Sequence, residues 1–563
     1  MDLLEKHFDT AFDAPDGIKK LRELILALAM QGKLVPQDEN DKPAKELLKE
    51  IEAEKQKLIK EGKIKKPKPL PEIKPDEIPY QIPKNWQWVR LRDVAKYIQR
   101  GKSPVYSEIE QIPIISQKSI QWSGFDKNVV RFIDPKSLDK YQDERFIKTG
   151  DLLWNSTGTG TIGRINIYND ELNEFKYVVA DSHVTIVRPI NISNYFLLMF
   201  LMSPVIQSNI EKNASGTTNQ IELNTSTIVN QPIPLPPLEE QRRIVAKVDE
   251  LMARCDELEK QKQALEEKRL NVHAYAIYHL LNKEGDFKKS WHFISKNFDE
   301  LYSVNENVAE LRKAILQLAM QGKLVPQDEN DKPAKELLKE IEAEKQKLIK
   351  EGKIKKPKPL PEIKPDEIPY QIPKNWQWVR LGEISNINGG FAFKSNLYTN
   401  KGVRVIRISD FDETGFKDDK IVRYEYNKSL SQYLIEKNNI IIAMTGGTVG
   451  KSYHVKNVSE ILVSNQRVAT IKVYQTIKSF FVNIAILSPA IQAIIKKSKN
   501  STNDNISMDL INNFLIPLPP LEEQKRIVAK VDELMARCDE LEKQINLSTN
   551  QKSTLLNTIM AKI

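Results

Sequence analysis

The chain has 563 residues, 40% of them hydrophobic, and a formal net charge of +9. Apolar content of that order excludes a wholly disordered chain, and the absence of any run of about 18 apolar residues excludes a membrane-spanning helix of ordinary length. Cys255 and Cys538 are too few for a disulfide framework or a zinc site, and the opening MDLLEKHFDTAFDAPDG lacks the basic and apolar blocks of a secretory signal, so by elimination the expectation is a cytoplasmic protein with no membrane partner.

The first segment predicts two helices. Ile18, Leu21, Leu24, Ile25 and Leu28 recur at helical spacing, and a charged helix follows from about Ala44 to Glu61, stopped by Gly62. A Pro-rich strap then runs to Pro83. Lysines in EKQKLIKEGKIKKPKPLPEIK supply much of the basic balance, which reads first as a solvated helix end and linker and only second as a grip on a polyanion. Trp86 and Trp88, like Trp376 and Trp378 further on, alternate beside Pro and are read as anchors of the strap.

From about residue 92 to 232 the pattern changes to short β-branched runs, Ile112–Ile115, Val178–Val179 and His183–Val187, set between Gly, Asn, Asp and Ser. This predicts a compact, mostly antiparallel α+β domain with long loops, with the apolar stretch Tyr195–Ile206 as helices on its sheet. Pro236-Pro237 then opens a long helix with Glu239 and Glu240 in its first turn, where the helix dipole favours them. Ile244, Val248, Leu251, Cys255 and Leu258 follow at the alternating spacing of a coiled-coil seam that continues less cleanly through Leu265 and Val272, so the helix spans about 40 residues, roughly 60 Å.

The whole order then recurs. Leu28 to Leu91 returns without a change as Leu318 to Leu381, and Ile233 to Gln261 returns as Ile516 to Gln544 with Arg242 replaced by Lys525. Between them, residues of about 382–515 carry runs Val403–Ile408, Ile440–Ile442 and Val468–Val473 and an apolar stretch Phe480–Ile495, yet share almost nothing else with residues 92–232. A unit this long means two equivalent halves rather than a solenoid. The expected domains are a helical scaffold and strap at 1–85, a variable domain at 86–232, a central long helix at 233–292, a second scaffold at 293–375, a second variable domain at 376–515 and a last long helix at 516–563. On this bookkeeping residues 545–563 complete the first scaffold as residues 262–292 complete the second, a ring opened between equivalent elements.

Catalytic motifs do not assemble. Gly446-Gly-Thr-Val-Gly-Lys451-Ser452 imitates a phosphate-binding loop, but Thr445 stands where its first Gly belongs; Gly158 and Gly163 have the spacing, but Arg164 and Ile165 replace the Lys and hydroxyl residue. A glycine turn joining strands is the simpler reading. The Pro-Pro pairs are followed by Leu238 and Leu521 rather than an aromatic residue, so an amino-methyltransferase motif is absent, and Pro75-Asp76 lies in the strap, without a sheet to hold a nuclease cluster. The six histidines are scattered; His183, in an expected strand, reads as packed or solvent-facing rather than as a ligand.

IPKNWQWVRL opening each variable segment, Gly150-Asp-Leu-Leu followed by Thr-Gly-Thr-Gly-Thr-Ile-Gly163, the looser Asn438-Asn-Ile-Ile and Thr445-Gly-Gly-Thr-Val-Gly450, and PLPPLEEQ closing each segment resemble the specificity subunit of type I restriction–modification enzymes. The resemblance covers essentially the whole chain. It implies an α+β protein in which two α/β target-recognition domains are joined by long, repeated antiparallel coiled-coil helices with pseudo-twofold symmetry. It implies a non-catalytic subunit that reads a bipartite, asymmetric double-stranded DNA target. Two methyltransferase subunits dock on its helices and two motor-nuclease subunits join through that complex. Adenine methylation and ATP-dependent restriction belong to those partners, as do S-adenosylmethionine, ATP and magnesium; the chain itself needs no cofactor and no metal. Two other classes remain, a DNA-processing enzyme and a coiled-coil scaffold unrelated to DNA.

Base discrimination requires polar side chains at groove edges. By residue chemistry the candidates in the first variable domain are Gln117, Lys118, Ser119, Thr157, Thr159, Arg164, Asn219 and Gln220; in the second they are Lys394, Arg407, Ser409, Thr445, Lys451, Asn465, Gln466 and Arg467. An ordinary loop role is the alternative for each. Basic and acidic residues balance in the first variable segment, whereas the second has a basic excess.

Overall fold

A computed structural model describes residues 9–158, 160–213, 222–282, 287–498 and 505–561. The chain divides into two compact units, Met1–Ala264 with Thr549–Ile563, and Leu265–Ser548. Thr159, Asn219 and Gln220 lie outside the described residues.

In the first unit α1 (Gly17–Met30) and α2 (Ala44–Lys60) precede the strap, and Gly62 ends α2 at φ +71°. A two-stranded ribbon of β1 (Gln87–Arg90) and β12 (Pro232–Leu235) then brackets the variable domain. Inside the bracket, β2 (Ala95–Arg100), β11 (Val184–Pro189), β8 (Leu152–Asn155) and β9 (Ile165–Ile167) form one antiparallel sheet in that order. A second sheet runs β10 (Val179–Ala180), β4 (Pro113–Ile115), β7 (Arg131–Ile133) and β3 (Tyr106–Ser107), with β10 and β4 parallel. A small hairpin of β5 (Ile120–Gln121) and β6 (Gly124–Phe125) lies between β4 and β7. The apolar stretch after β11 forms α3 (Asn194–Met202) and α4 (Pro204–Asn213), broken at Ser203 because Pro204 has no N–H to continue the ladder. Then come α5 (Thr225–Asn230), β12 and α6 (Leu238–Leu281), a helix of 44 residues or about 66 Å.

The second unit repeats this order: α7 (Phe287–Lys296), α8 (Asn305–Met320) and α9 (Ala334–Lys350), then the ribbon of β13 (Gln377–Arg380) and β22 (Leu515–Leu518). Its first sheet is β14 (Ser385–Asn388), β21 (Val468–Val473), β18 (Ile440–Ala443) and β19 (Ser452–His454), strand for strand the order of β2-β11-β8-β9. Its second is β16 (Val422–Tyr424), β15 (Val403–Ile406), β20 (Leu462–Ser464) and β17 (Leu434–Ile435), with β15 and β20 parallel. Thus β10-β4-β7 matches β20-β15-β16, and only the edge strand differs, β3 beside β7 in one domain and β17 beside β20 in the other. Next are α10 (Ser479–Leu487), α11 (Pro489–Ser498) and α12 (Met508–Asn512), and finally α13 (Leu521–Met560). Two dissimilar segments therefore fold to one topology, α+β as expected but with one parallel pair in each. Among the described residues no single helix is long and apolar enough to cross a membrane; α10 and α11 approach the composition only as a bent pair, and Phe481, Val482, Ile484 and Ile491 of that pair are core residues.

One buried acid organises each scaffold. Trp86 Nε1–H donates to Glu240 at 2.9 Å, and Gln37 donates to the other carboxylate oxygen. Trp376, Gln327 and Glu523 repeat the arrangement, again with 2.9 Å to the indole. Burial pushes both carboxyls up, opposed by those donors. The neighbouring Gln241 accepts from the Ser193 N–H at 2.8 Å, at the start of α3, and Gln524 accepts from the Lys478 N–H at 3.0 Å, at the start of α10. The Glu-Glu-Gln of the repeated motif is thus more than a complement to the helix dipole. Its second Glu holds the strap tryptophan and its Gln holds the variable domain. Arg90 is buried and reaches Glu77, the carbonyls of Pro71 and Glu72 in the strap, and Asn230 O at 2.6 Å; Arg380 does the same with Glu367, Pro361, Glu362 and Asn513. The Arg90 guanidinium holds the Glu77 carboxyl down to about 2. Trp88 and Trp378 lie on Tyr80 and Tyr370 with centroids 5.3 and 5.1 Å apart, the anchoring role read for them.

The helical seam is shorter than its spacing suggests. Ile244, Val248 and Cys255 are buried with Ile25, Ala29 and Met30, but Leu258 is 48% and Leu265 55% exposed. The helix α1 has 14 residues, about 21 Å, and covers no more of the seam than that. Beyond it, Ala276, Ile277 and Leu280 of α6 join the core of the second unit, and Leu556 and Ile559 of α13 pack with Ala11, Phe12 and Leu24 in the first, as counting of equivalent elements predicts. Lys55 also departs from expectation: it is buried, with its ammonium on Arg92 O at 2.7 Å, rather than on the exposed face of α2.

Replacing Trp86 by Phe keeps an aromatic side chain but leaves a small void and the Glu240 carboxylate with one donor fewer in a buried site, the lost donor alone costing about 1–3 kcal/mol. Thermal or urea melting of Trp86→Phe and Trp376→Phe is expected to show equal destabilisation, because the two sites are copies. An effect at one site alone would contradict their equivalence.

Candidate nucleic-acid interface

A parallel strand pair delivers two chains out of the same sheet edge. In the first variable domain β4 and β10 end at Ile115 and Ala180, and in the second β15 and β20 end at Ile406 and Ser464. The turns that follow meet: Asp181 N–H donates to Ile115 O at 3.0 Å, and Asn465 N–H donates to Ile406 O at 2.9 Å. Each turn closes alike, Val184 N–H to Asp181 O and Val468 N–H to Asn465 O. The residue before each valine donates its N–H to the turn's own side chain, His183 to Asp181 and Arg467 to Asn465. His183 and Arg467 are therefore equivalent and both exposed. His183 lies in this turn, outside β11, and its Nδ1 is 2.6 Å from Thr157 Oγ1. Burial pushes the Asp181 carboxyl up.

The glycine-rich segments are the turns between β8 and β9 and between β18 and β19. Thr157 bridges Glu222 and Thr445 bridges Asn505. Gly163 and Gly450 have φ of +84° and +87°, and each carbonyl accepts from a glutamine, Gln207 on α4 or Gln492 on α11, at 3.2 Å. A Cβ there would meet those helices, at 2.7 Å from Gln207 and 2.9 Å from Ile495. These glycines let the turn lie against a helix, as the simple turn reading holds.

In the first domain Gln117, Lys118, Thr157 and Arg164 come together. Asn155 donates to Gln117 O at 2.9 Å, Thr161 to Gln117 Oε1 at 3.1 Å, and Arg164 to Gln121 Oε1 at 2.6 Å and Gly160 O at 2.8 Å. Lys118 is exposed, but Ser119 is fully buried, with its hydroxyl enclosed, and presents nothing to an external ligand. In the second domain Thr445, Lys451, Asn465, Gln466 and Arg467 come together, joined by Met444 N–H to Arg467 O at 2.9 Å. Lys394 follows Phe391, which bridges Asn465. Arg407 is spent on the fold: its Nε and Nη2 hold Asp410 at 2.8 Å, with the Ser409 hydroxyl at 2.9 Å from the same carboxylate. Lys451 occupies the place of Arg164, since Ala443 N–H donates to Lys451 O as Asn155 N–H donates to Arg164 O. Lys118, Lys394, Lys451, Gln466 and Arg467 have no side-chain partner among the described residues, and no three His, Cys, Asp or Glu side chains converge there as metal ligands would.

Composition offered no signal for two glycines that shape these surfaces. A Cβ on Gly101 would sit 2.0 Å from Ala180 O, and one on Gly390 2.0 Å from Asn465 O. Their signal is positional, a Gly just after the first strand of each variable domain.

The family described as Type I restriction modification DNA specificity domain matches residues 83–267 and 373–551. The EcoAI specificity subunit of a type I restriction enzyme of Escherichia coli is 37% identical over 540 residues, 93% of this chain and 90% of that protein. The EcoEI specificity subunit, also from Escherichia coli, is 33% identical over 570 residues, 94% of this chain and 91% of that one. The crystal structure of the HsdS subunit from Thermoanaerobacter tengcongensis aligns over 85% of this chain and 97% of its own with a TM-score of 0.43 and 19% identity. The chain belongs to the type I restriction–modification DNA specificity family. It is a non-catalytic specificity subunit, and its two variable domains are its DNA-recognition domains.

Gly101→Ala and Gly390→Ala are expected to displace the turns at 181–184 and 465–468 without unfolding the cores. Hydrogen exchange at the Asp181 and Asn465 amides, both bonded across the parallel pair, should accelerate while melting stays cooperative. Unchanged exchange at both amides would contradict the close approach.

Proposed function

We propose that the chain reads a bipartite, asymmetric double-stranded DNA target, one half-site per recognition domain, and directs adenine methylation and ATP-dependent restriction by partner subunits. The observation that carries this reading is a pair of domains with one topology whose equivalent turns present different side chains, His183 against Arg467 and Arg164 against Lys451. A common frame with different edge chemistry is what two different base sequences require. Lys118, Thr157 and Arg164 serve one half-site with Gln117; Lys394, Lys451, Asn465, Gln466 and Arg467 serve the other with Thr445. Arg407 and Ser409 act by shaping the turn beneath them, and Thr159, Asn219 and Gln220 complete the nominated set.

The repeated helices α6 and α13 are proposed to run antiparallel as coiled coils in a pseudo-twofold arrangement and to dock two methyltransferase subunits, through which two motor-nuclease subunits join. S-adenosylmethionine, ATP and magnesium act in those partners. Support comes from the identity of the two scaffold copies, which offer nearly the same surface twice. The work is proposed to take place in the cytoplasm.

Residues 92–232 enter and leave through the ribbon of β1 and β12, built, apart from Pro232, from repeated sequence. Exchanging them for the corresponding segment of another family member is expected to change one half of the methylated motif, read by sequencing methylated host DNA, and to leave the other half intact. A change in both halves would contradict independent reading. Native mass spectrometry of the reconstituted, saturated complex is expected to give two methyltransferase subunits per chain; one would overturn the docking proposal.

A further inference from the structure

Each recognition domain carries a small hairpin between the central strand of its parallel pair and the next antiparallel strand. In the first, Ile120 pairs with Phe125 and Gln121 with Gly124, and Asp126 N–H closes the base on Ser119 O at 2.8 Å. In the second, Phe411 bridges Phe416, Asp412 N–H donates to Gly415 O at 3.0 Å, and Lys417 N–H closes the base on Asp410 O at 2.8 Å. Below the hairpins Ile120 and Phe411 are buried, while Phe125 meets Tyr168 and Phe416 meets Tyr453 edge to face. The frames correspond residue by residue, and the tips do not: Trp122-Ser123 stands where the other domain has Glu413-Thr414.

Both tips sit on rigid bases beside the candidate surface. The Gln121 side chain accepts from Arg164 and donates to Lys118 O at 2.7 Å, and its carbonyl accepts from Asn166 at 3.2 Å. Asp412 accepts from Thr414 at 2.6 Å and pairs with Lys417 at 3.1 Å, while Asp410 beneath is held by Arg407. Trp122 nevertheless keeps 46% of its surface in water. Glu413 is exposed and has no side-chain partner among the described residues, whereas the hairpin's other carboxylate, Asp412, is used internally.

A single exposed Trp is ordinary, but one carried on a hydrogen-bonded hairpin among polar groups at a recognition surface is placed to lose its hydration to a partner. An unpaired carboxylate on such a surface is repelled by phosphates. That repulsion is offset where the carboxylate enters the major groove and accepts from the amino group of cytosine. The geometry points to the hairpin tip as the groove-entering, specificity-determining element of each recognition domain. Trp122 packs on apolar base edges, the thymine methyl foremost, in one half-site, and Glu413 accepts from a cytosine amino group in the other. The assignment rests on the DNA-recognition reading of both domains and adds to it the side chains that distinguish bases.

The test uses the full chain in complex with its methyltransferase partner and a randomised double-stranded DNA library, with selection for bound duplexes. The wild type is expected to select a split motif. Trp122→Ala should lower the preference at one or two base pairs of one half-site by roughly tenfold or more and leave the other half-site intact, with Trp122→Phe retaining part of the preference. Glu413→Gln should relax a cytosine preference in the other half-site only. Binding to a scrambled duplex should not weaken in any variant, and melting should match the wild type. Wild-type selection with both variants unchanged would overturn the tip assignment alone. So would a uniform loss across all sequences, which marks a general grip. A wild-type complex that selects no motif would overturn the DNA-recognition reading and the tip assignment with it.

Discussion

A carboxylate taken out of water is the constraint on which each half of this protein is built. Glu240 and Glu523 are fully buried at the start of the long helices, where an unpaired charge would be costly. Their two donors, a strap tryptophan and a scaffold glutamine, come from segments far apart in sequence. Satisfying the acid therefore requires strap, scaffold and long helix to be in place together. The adjacent glutamine extends the requirement to the first helix after the sheet of the recognition domain. One turn of helix thus joins strap, scaffold and recognition domain, and its Leu-Glu-Glu-Gln sequence is the same in both halves while the domain before it differs almost everywhere.

The two-stranded ribbons complete that division. Strands β1 and β12 hold the entry and exit of a recognition domain side by side, and apart from Pro232 both are made of repeated sequence. What lies between can vary as long as it returns to the ribbon. Identity of sequence is not identity of contact, however. Lys55 is buried on the Arg92 carbonyl, whereas its copy Lys345 pairs with Glu342 and the nearby Glu344 accepts the amides of Gln475 and Thr476. The recognition domain packed on the helix decides which of its side chains are used.

Much of the architecture was legible because it is periodic or repeated. The helices of the scaffold follow apolar spacing, and the packing of the last helix's end on the first scaffold follows from counting equivalents. The end of the seam was not legible, since Leu258 and Leu265 keep the spacing after their partner helix has stopped. At the surface, residue chemistry nominated Arg164, Lys451 and Arg467, which the fold brings to the turns at the strand ends. It also chose Ser119, which is buried, and Arg407, which is bound to Asp410. It read His183 as packed or solvent-facing in a strand, whereas its place in a turn and its equivalence to Arg467 are set by hydrogen bonds beside a parallel strand pair and by no local pattern. Pairing of distant strands decides which loops share an edge, and a single sequence does not display it.

The repeat stops before the ends of the long helices, and the packing there differs between the two units. In the second unit His273, near the end of α6, is buried 3.0 Å from the Tyr302 hydroxyl. Counting from the repeats, the same places in the first unit hold Leu556, near the end of α13, and Phe12, both in an apolar cluster. Burial disfavours the charged form of His273, so this imidazole needs a hydrogen-bond partner more than a counter-charge. Docked against Phe12 it would have none, and Leu556 docked against Tyr302 would leave a buried hydroxyl unpaired. Each mismatch costs about 1–3 kcal/mol, one difference among many between helix ends whose residues, unlike 238–261 and 521–544, do not repeat.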